Sequence, residues 1–391
     1  LLFEGLKYCD KYFVIQINVA ICNENIKETV MHRRCVVGTA TAVASSLMFA
    51  VSAHAQSSIT LYGIADTGLL YLSKTLNMAT GGDGGKFVGL QNAGIAPSQF
   101  GLTGTENLGG GLQAEFNLQS GIDLTNGGFN NSNGNLFGRE AYVGLKGGFG
   151  EVKAGLQFSP FFQSIWDLDP RAFSEFGSIV GIYANNVTAT GAFNSNAISY
   201  TTPVIAGLQA SAMFGFGGVA GNFQSGRQYS ASLRYQWSGL TLSAAFYDGN
   251  PGGSVSTVPP TNVGFEGRML AAAYKFGSVT AKASFTSFKV EGGPSNNVYG
   301  GGLDFLALPQ LDLNGGVWYV SDRNDTSSHS LMGALGATYF LSKTTGLYAQ
   351  VGIVNNHGKA NLGLTPAVGL TSLLAPSGTT TGATIGIMHM F

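Results

Sequence analysis

The sequence predicts an all-β fold: a transmembrane, antiparallel, up-and-down β-barrel of sixteen strands. Three observations lead there. The chain carries 58 Gly, 26 Phe and 15 Tyr but only 10% charged residues, whereas a soluble domain averages about 25% charged and about 7% Gly. Beyond the N-terminal region no stretch offers about 20 consecutive apolar residues, which removes a helical membrane protein. From Ser58 onward, apolar and polar residues alternate with period two. So many aromatic residues also exclude a disordered chain. A formal charge of −1, from 20 Lys+Arg and 21 Asp+Glu, lacks the basic signature of a nucleic-acid binder.

Residues 1–30 are expected to lie outside the mature protein, as an over-extended start. Met31-His32-Arg33-Arg34 then opens a basic stretch, followed by an uncharged run from Cys35 to Ala53. Ala53-His54-Ala55 is a small-x-small cleavage site, so 31–55 reads as a signal peptide cut between Ala55 and Gln56. Cys9, Cys22 and Cys35 all precede that cut, and the barrel domain, 56–391, holds no thiol.

The strands follow from alternation. Leu240, Leu242, Ala244 and Phe246 share one face against Thr241 and Ser243; Val279, Ala281, Ala283 and Phe285 share another against Thr280, Lys282, Ser284 and Thr286. Tyr229, Ala231, Leu233, Tyr235 and Trp237 alternate with Ser230, Ser232, Arg234 and Gln236. One wet and one apolar face per strand suits a water-filled barrel in lipid. Short turns fall at 109–111, 147–148, 204–206, 238–239, 277, 309–310 and 342–345. Longer polar segments lie near 73–97, 123–135, 158–195, 218–226, 248–265, 289–297, 321–328 and 355–379. Seven turns alternating with eight loops give sixteen strands, both chain ends on the short-turn side, and a lumen wide enough for water. A β-sandwich would need a continuous apolar core and no such loop asymmetry. Ile385, Ile387, His389 and Phe391 share a face at the chain end, and an aromatic terminus fits recognition by barrel-inserting machinery.

Several motifs then occur in order: Gln56 to Asp66 (QSSITLYGIAD), Gly101 to Gly111 (GLTGTENLGGG), Gly138 to Lys146 (GREAYVGLK), Phe214 to Asn222 (FGFGGVAGN) and Gly386 to Phe391 (GIMHMF). Together they resemble the trimeric general porins of Gram-negative outer membranes, over essentially all of 56–391. The resemblance implies a homotrimer whose barrels each pass small hydrophilic solutes and ions by passive diffusion. It implies no enzymatic activity and no cofactor. The implied partners are outer-membrane lipid and lipopolysaccharide, periplasmic chaperones and the barrel-assembly machinery that would read Phe391. Alternatives are a substrate-specific channel for sugars or dicarboxylates, a surface adhesion barrel, or an outer-membrane hydrolase.

The third long segment, Phe158 to Ser195, is the longest and carries Phe161, Phe162, Trp166, Phe173 and Phe176. Structureless loops beyond about 15 residues are uncommon unless functional, and one this apolar is expected to fold into the lumen. In the resembled family such a loop presents acids opposite a basic ladder. That makes Asp167, Asp169 and Glu175 the acidic candidates, with Arg171 between them. Arg139 matches the family's Gly-Arg-(Gln/Glu)-Ala-Tyr-Val-Gly motif, although placing it inward puts Glu140 outward; Arg234 and Lys282 fall on polar faces. Other positions depart from the family: Gln99, Thr103, Leu156 before Gln157, Phe193, Met388 and Met390 stand where it usually carries Arg or His. A pore stripped of these cations is expected to prefer anions less than its relatives do. The barrel's histidines, His329, His357 and His389, are widely separated and there is no Cys, so no metal site is expected.

Overall fold

The computed structural model describes residues 58–187, 190–253, 263–366 and 373–391; the expected signal peptide and the Ala55/Gln56 cut lie outside them. The chain begins with β1 (Ser58–Leu72), β2 (Phe87–Asn92), β3 (Gln99–Gly109), β4 (Leu112–Gly121), β5 (Glu140–Gly147) and β6 (Gly150–Phe158). The third loop carries α1 (Pro160–Leu168) and α2 (Ile179–Val187). There follow β7 (Phe193–Thr201), β8 (Leu208–Gly215), β9 (Gln228–Trp237), β10 (Leu240–Gly249), β11 (Phe265–Phe276) and β12 (Val279–Val290). The last are β13 (Ser295–Leu308), β14 (Leu311–Asp322), β15 (His329–Phe340), β16 (Thr345–His357) and β17 (Gly378–Met390).

These segments make a closed antiparallel barrel of sixteen staves. Segments outnumber staves because β2 and β3 share the second one: β1 pairs with β3 along Ser58–Ile64 and with β2 along Thr67–Leu72. The first long loop is therefore shorter than the expected 73–97: it spans 73–86, 87–92 is strand, and 93–98 then leaves the ladder a second time. The other edge of β1 pairs with β17, from Ile64↔Met390 to Leu72↔Gly382. Gly63 and Phe391 exchange backbone hydrogen bonds of 2.9 and 3.0 Å below that register, so the chain's last residue completes the seam. At the short-turn end, Ser238 (φ 43°) and Gly239 (φ 88°) make a two-residue connection of the positive-φ kind that matches strand twist.

The alternation places apolar side chains outside. Leu61, Leu69, Val88, Leu90, Val143, Leu270, Leu335, Val351 and Ile385 are all at least half exposed. Their inward neighbours Thr60, Asn117, Gln119, Ser230, Ser243, Thr286, Thr338, Gln350 and Thr384 are buried. A polar interior and an apolar exterior is the inverse of a soluble protein, and it suits hydrocarbon outside with every backbone group paired around the ring.

The apolar core lies within the barrel, in its long-loop half. There the inward residues turn apolar (Leu70, Leu72, Tyr247, Phe265, Phe288, Val298, Trp318, Met332, Val354) and meet Phe161, Ile165, Phe176, Ile179, Ile182 and Tyr183 of the third loop. Leu362, Leu364, Leu373 and Ala375 of the last loop join them. The short-turn half keeps a polar wall.

The break in the second stave is organised by Asp66, which is fully buried on the inward face of β1. Its carboxylate accepts from the backbone N–H of Gly94 (3.1 Å), Ile95 (2.8 Å) and Ala96 (2.8 Å) and from the Tyr348 hydroxyl (2.7 Å). Ser98 Oγ bonds both the N–H and the C=O of Asp66. Residues 93–98 are thus folded into the lumen and held there. Asp66→Ala would orphan these donors, at about 1–3 kcal/mol for each buried group left unpaired. The folded barrel is expected to convert to its unfolded gel mobility at a clearly lower temperature, with new protease cleavage at 93–98.

Candidate functional site

The third loop starts as a helix for local reasons. Ser159 caps α1, its Oγ accepting from the Phe162 N–H at 3.1 Å, and Pro160 occupies the first turn, where no donor is needed. Phe161, Ile165 and Leu168 share the face that packs on β9–β12. Phe161 is fully buried, with ring centroids 6.3 Å from Phe265 and Phe288 and 6.5 Å from Tyr247. Burying such a side chain contributes about 1.5–3 kcal/mol, enough in aggregate to hold the loop against the wall.

After α1 the chain crosses toward β14 and β16. Asp169 makes the turn: its carboxylate accepts from the N–H groups of Arg171 (3.0 Å), Phe173 (2.8 Å) and Ile179 (3.3 Å). Arg171, 1% exposed, donates through Nε to Asn314 Oδ1 (3.0 Å), through one terminal nitrogen to the carbonyls of Phe176 and Gly177, and through the other to Gln350 Oε1. Ser174 Oγ donates to Gln350 Oε1 (2.7 Å), and Gln350 Nε2 to Gly94 O (2.8 Å). Glu175 N–H donates to Ile95 O (3.1 Å). The loop is therefore tied to two strands and to the segment that Asp66 holds.

Of the four charged loop candidates, only Asp167 meets the open lumen. Asp169 and Arg171 are consumed in building the loop. Glu175 is buried; that burial, opposed by Arg139 and reinforced by Asp66, pushes its carboxyl up to about 8. On the wall, Arg139 is 1% exposed; its Nε donates to Gln119 Oε1 (2.8 Å) and its guanidinium lies 5.6 Å from the Phe158 ring and 5.7 Å from that of Phe193. The alternation conflict with Glu140 dissolves because Arg139 precedes β5, off the pleat, while Glu140 registers with inward Gln119 and accepts from Asn117 Nδ2 (2.8 Å). Gln99 and Gln157 point inward but are buried; Gln157 Nε2 bonds Ala197 O. Thr103 is inward and half-buried, bonded to Phe116 O.

Arg234 and Lys282 sit below α1. Arg234 donates to Asp167 Oδ2 at 3.0 Å. Both partners are well exposed, so the ion pair contributes only about 0–1 kcal/mol and acts mainly through its charges. Lys282 Nζ donates to the carbonyls of Asp167 (3.0 Å) and Asp169 (2.8 Å), complementing the negative end of α1. Asp304 and Asp312 lie on the inward face of the two staves that follow. Across the lumen, Lys153 bridges Glu151 (3.0 Å) and Glu115 (4.0 Å) with its ammonium 4.7 Å from the Tyr142 ring. Sequence reasoning singled out neither this cluster nor Asp66, Asn314, Tyr348 and Gln350. Counting alternate positions from Thr60 or Tyr348 would have placed Asp66 and Gln350 inward.

A family model described as Gram-negative porin matches residues 39–359. The chain belongs to the Gram-negative porin family. Outer membrane porin protein 32 of Delftia acidovorans is 29% identical over 358 residues, spanning 87% of this chain and 96% of that protein. The anion-selective porin from Comamonas acidovorans is 26% identical with a TM-score of 0.73, over 86% of this chain and 100% of that one. OmpT of Vibrio cholerae in its trimer form shares the fold, at TM-score 0.61 and 15% identity over 86% and 99%. This porin accordingly sits in the outer membrane, with short turns toward the periplasm and long loops outside. Its named relatives are channel proteins.

Phe161→Ala removes the ring at the centre of the loop's packing, and a buried Phe→Ala costs about 3–5 kcal/mol. Single-channel recordings are expected to show larger, noisier openings than wild type, while the barrel keeps its folded gel mobility.

Proposed function

We propose that this porin is a homotrimeric, passive diffusion channel for small hydrophilic solutes and ions, with a weaker anion preference than the Comamonas relative. The observation that carries the selectivity reading is the pairing of charge along the open lumen. Arg234 faces Asp167, Lys153 lies between Glu151 and Glu115, Lys146 comes within 4.0 Å of Glu151, and Asp304 and Asp312 follow Lys282 around the wall. Arg139 and Arg171 are buried behind or within the third loop. In a narrow constriction each unmatched fixed charge biases ion occupancy; here the bases have acids beside them.

The other partners follow from the resemblance and the surface. Outward Leu, Val and Ile meet lipid, with lipopolysaccharide at the outer rim. The 41% exposed Phe391 remains available to the assembly machinery as the last strand is paired. Trimerisation rests on the family likeness.

The test is the reversal potential of 56–391 in a planar bilayer under a salt gradient. Conductance in steps of three with near-neutral or cation-leaning selectivity supports the reading, and strong anion preference contradicts it. Arg234→Gln with Lys282→Gln is expected to shift the cation-to-anion permeability ratio several-fold toward cations, and Asp167→Asn to shift it the other way. Glu175→Gln should leave the reversal potential unchanged between pH 6 and 7, because a carboxyl titrating at about 8 is mostly uncharged there.

A further inference from the structure

Between α1 and the wall formed by β8–β10 lies a recess of about 80 Å³. A buried water needs roughly 10–15 Å³ on this measure, so the space holds several waters or one small organic molecule. Its polar lining includes Gln163 and Asp167 on α1 and Gln209, Ser232, Arg234 and Ser243 on the wall, beside Ser164 and Ser211, whose hydroxyls are already bonded to Pro160 O and Thr201 Oγ1. Gln209, Arg234 and Ser243 stand side by side in direct register across three strands, and Ser232 is the next inward residue of β9. The Asp167 and Arg234 side chains, 41% and 38% exposed, open the recess to the lumen.

The groups in it are under-used. Arg234 Nε is buried and bonds to nothing among the described residues. The hydroxyls of Ser232 and Ser243 bond to nothing among the described residues, and Gln209 spends its amide nitrogen on Thr202 O, leaving its oxygen as an acceptor. The recess therefore presents donors and acceptors together, while its one cation and one anion are already paired at 3.0 Å. A net-anionic ligand would face the Asp167 carboxylate and a cation the Arg234 guanidinium, so neither sign of charge meets an unopposed partner. A neutral molecule whose hydroxyls both donate and accept satisfies the two serines and the Gln209 oxygen without breaking the pair.

We propose that this recess is a subsite for small, uncharged polyhydroxylated solutes of glycerol-to-tetritol size, beside the path past the third loop. The proposal rests on the diffusion-channel reading above and adds a class of solute to it. Occupancy has to be weak, since a channel site must release what it binds.

The test uses the full mature channel in planar bilayers, with erythritol as probe and acetate as the anionic control. Wild-type conductance is expected to fall saturably with millimolar erythritol. Ser232→Val/Ser243→Val, which keeps the ion pair, should need at least about 10-fold more probe for the same effect; Gln209→Leu should move in the same direction. Equal, non-saturating, viscosity-like decreases in wild type and variants would overturn the subsite while leaving an open channel. Saturable block by acetate but not erythritol would overturn it in favour of an anion site. Absence of any conductance from wild type would remove the diffusion-channel reading itself, and the subsite with it.

Discussion

Every backbone N–H and C=O that faces hydrocarbon must be paired within the protein, because no water is present to satisfy it. The rest of this structure depends on that constraint. It forces the sheet to close, which makes the β1–β17 seam obligatory and gives Phe391 a structural place opposite Gly63. It also explains why the interruption at 93–98 turns inward. An unpaired stretch on the lipid side would leave bare peptide groups in hydrocarbon, whereas inside it can bond Asp66, Ser174 and Gln350.

Closure leaves a lumen, and the third loop decides what kind. Its aromatic face needs an apolar surface, which the long-loop half of the wall supplies at inward positions such as Phe265, Phe288, Trp318 and Val354. Its polar tip needs partners, which Asn314 and Gln350 supply. The channel is consequently layered: a filled, largely apolar zone above and a polar, charge-paired zone below, with α1 between them. Arg171 illustrates the economy of this arrangement. A guanidinium that could have lined the pore is spent as a tie between loop and wall, so it restrains the constriction without projecting into the water.

The layering also accounts for the charge pattern. Below α1, Lys282 meets the negative end of a helix and Arg234 meets Asp167; on the far wall Lys153 sits between two glutamates. Fixed charges in such a space act through their sum as well as their positions, and paired charges leave a weaker field for a passing ion than an unopposed ladder would. The same pairing leaves the recess behind α1 electrically neutral.

Barrel, strand number, loop asymmetry and the inward-folding third loop were all legible in the sequence, because period-two alternation and turn chemistry are local properties of the chain. Arg234 and Lys282 read as inward for the same reason, since their strands alternate cleanly, and their side chains reach Asp167 and the end of α1. Tertiary structure alone decided which inward residues meet water. Asp169, Arg171 and Glu175 read as pore charges in sequence, but the Asp169 carboxylate is taken up by N–H groups of its own loop, Arg171 is tied to Asn314 and Gln350, and Glu175 is buried. Arg139 lies just off the pleat, where period two no longer predicts direction. In the long-loop half, inward positions are apolar because another part of the chain packs on them, which erases the alternation that marks a face as wet. Contacts between residues more than a hundred positions apart leave no periodic trace, and those contacts set the constriction.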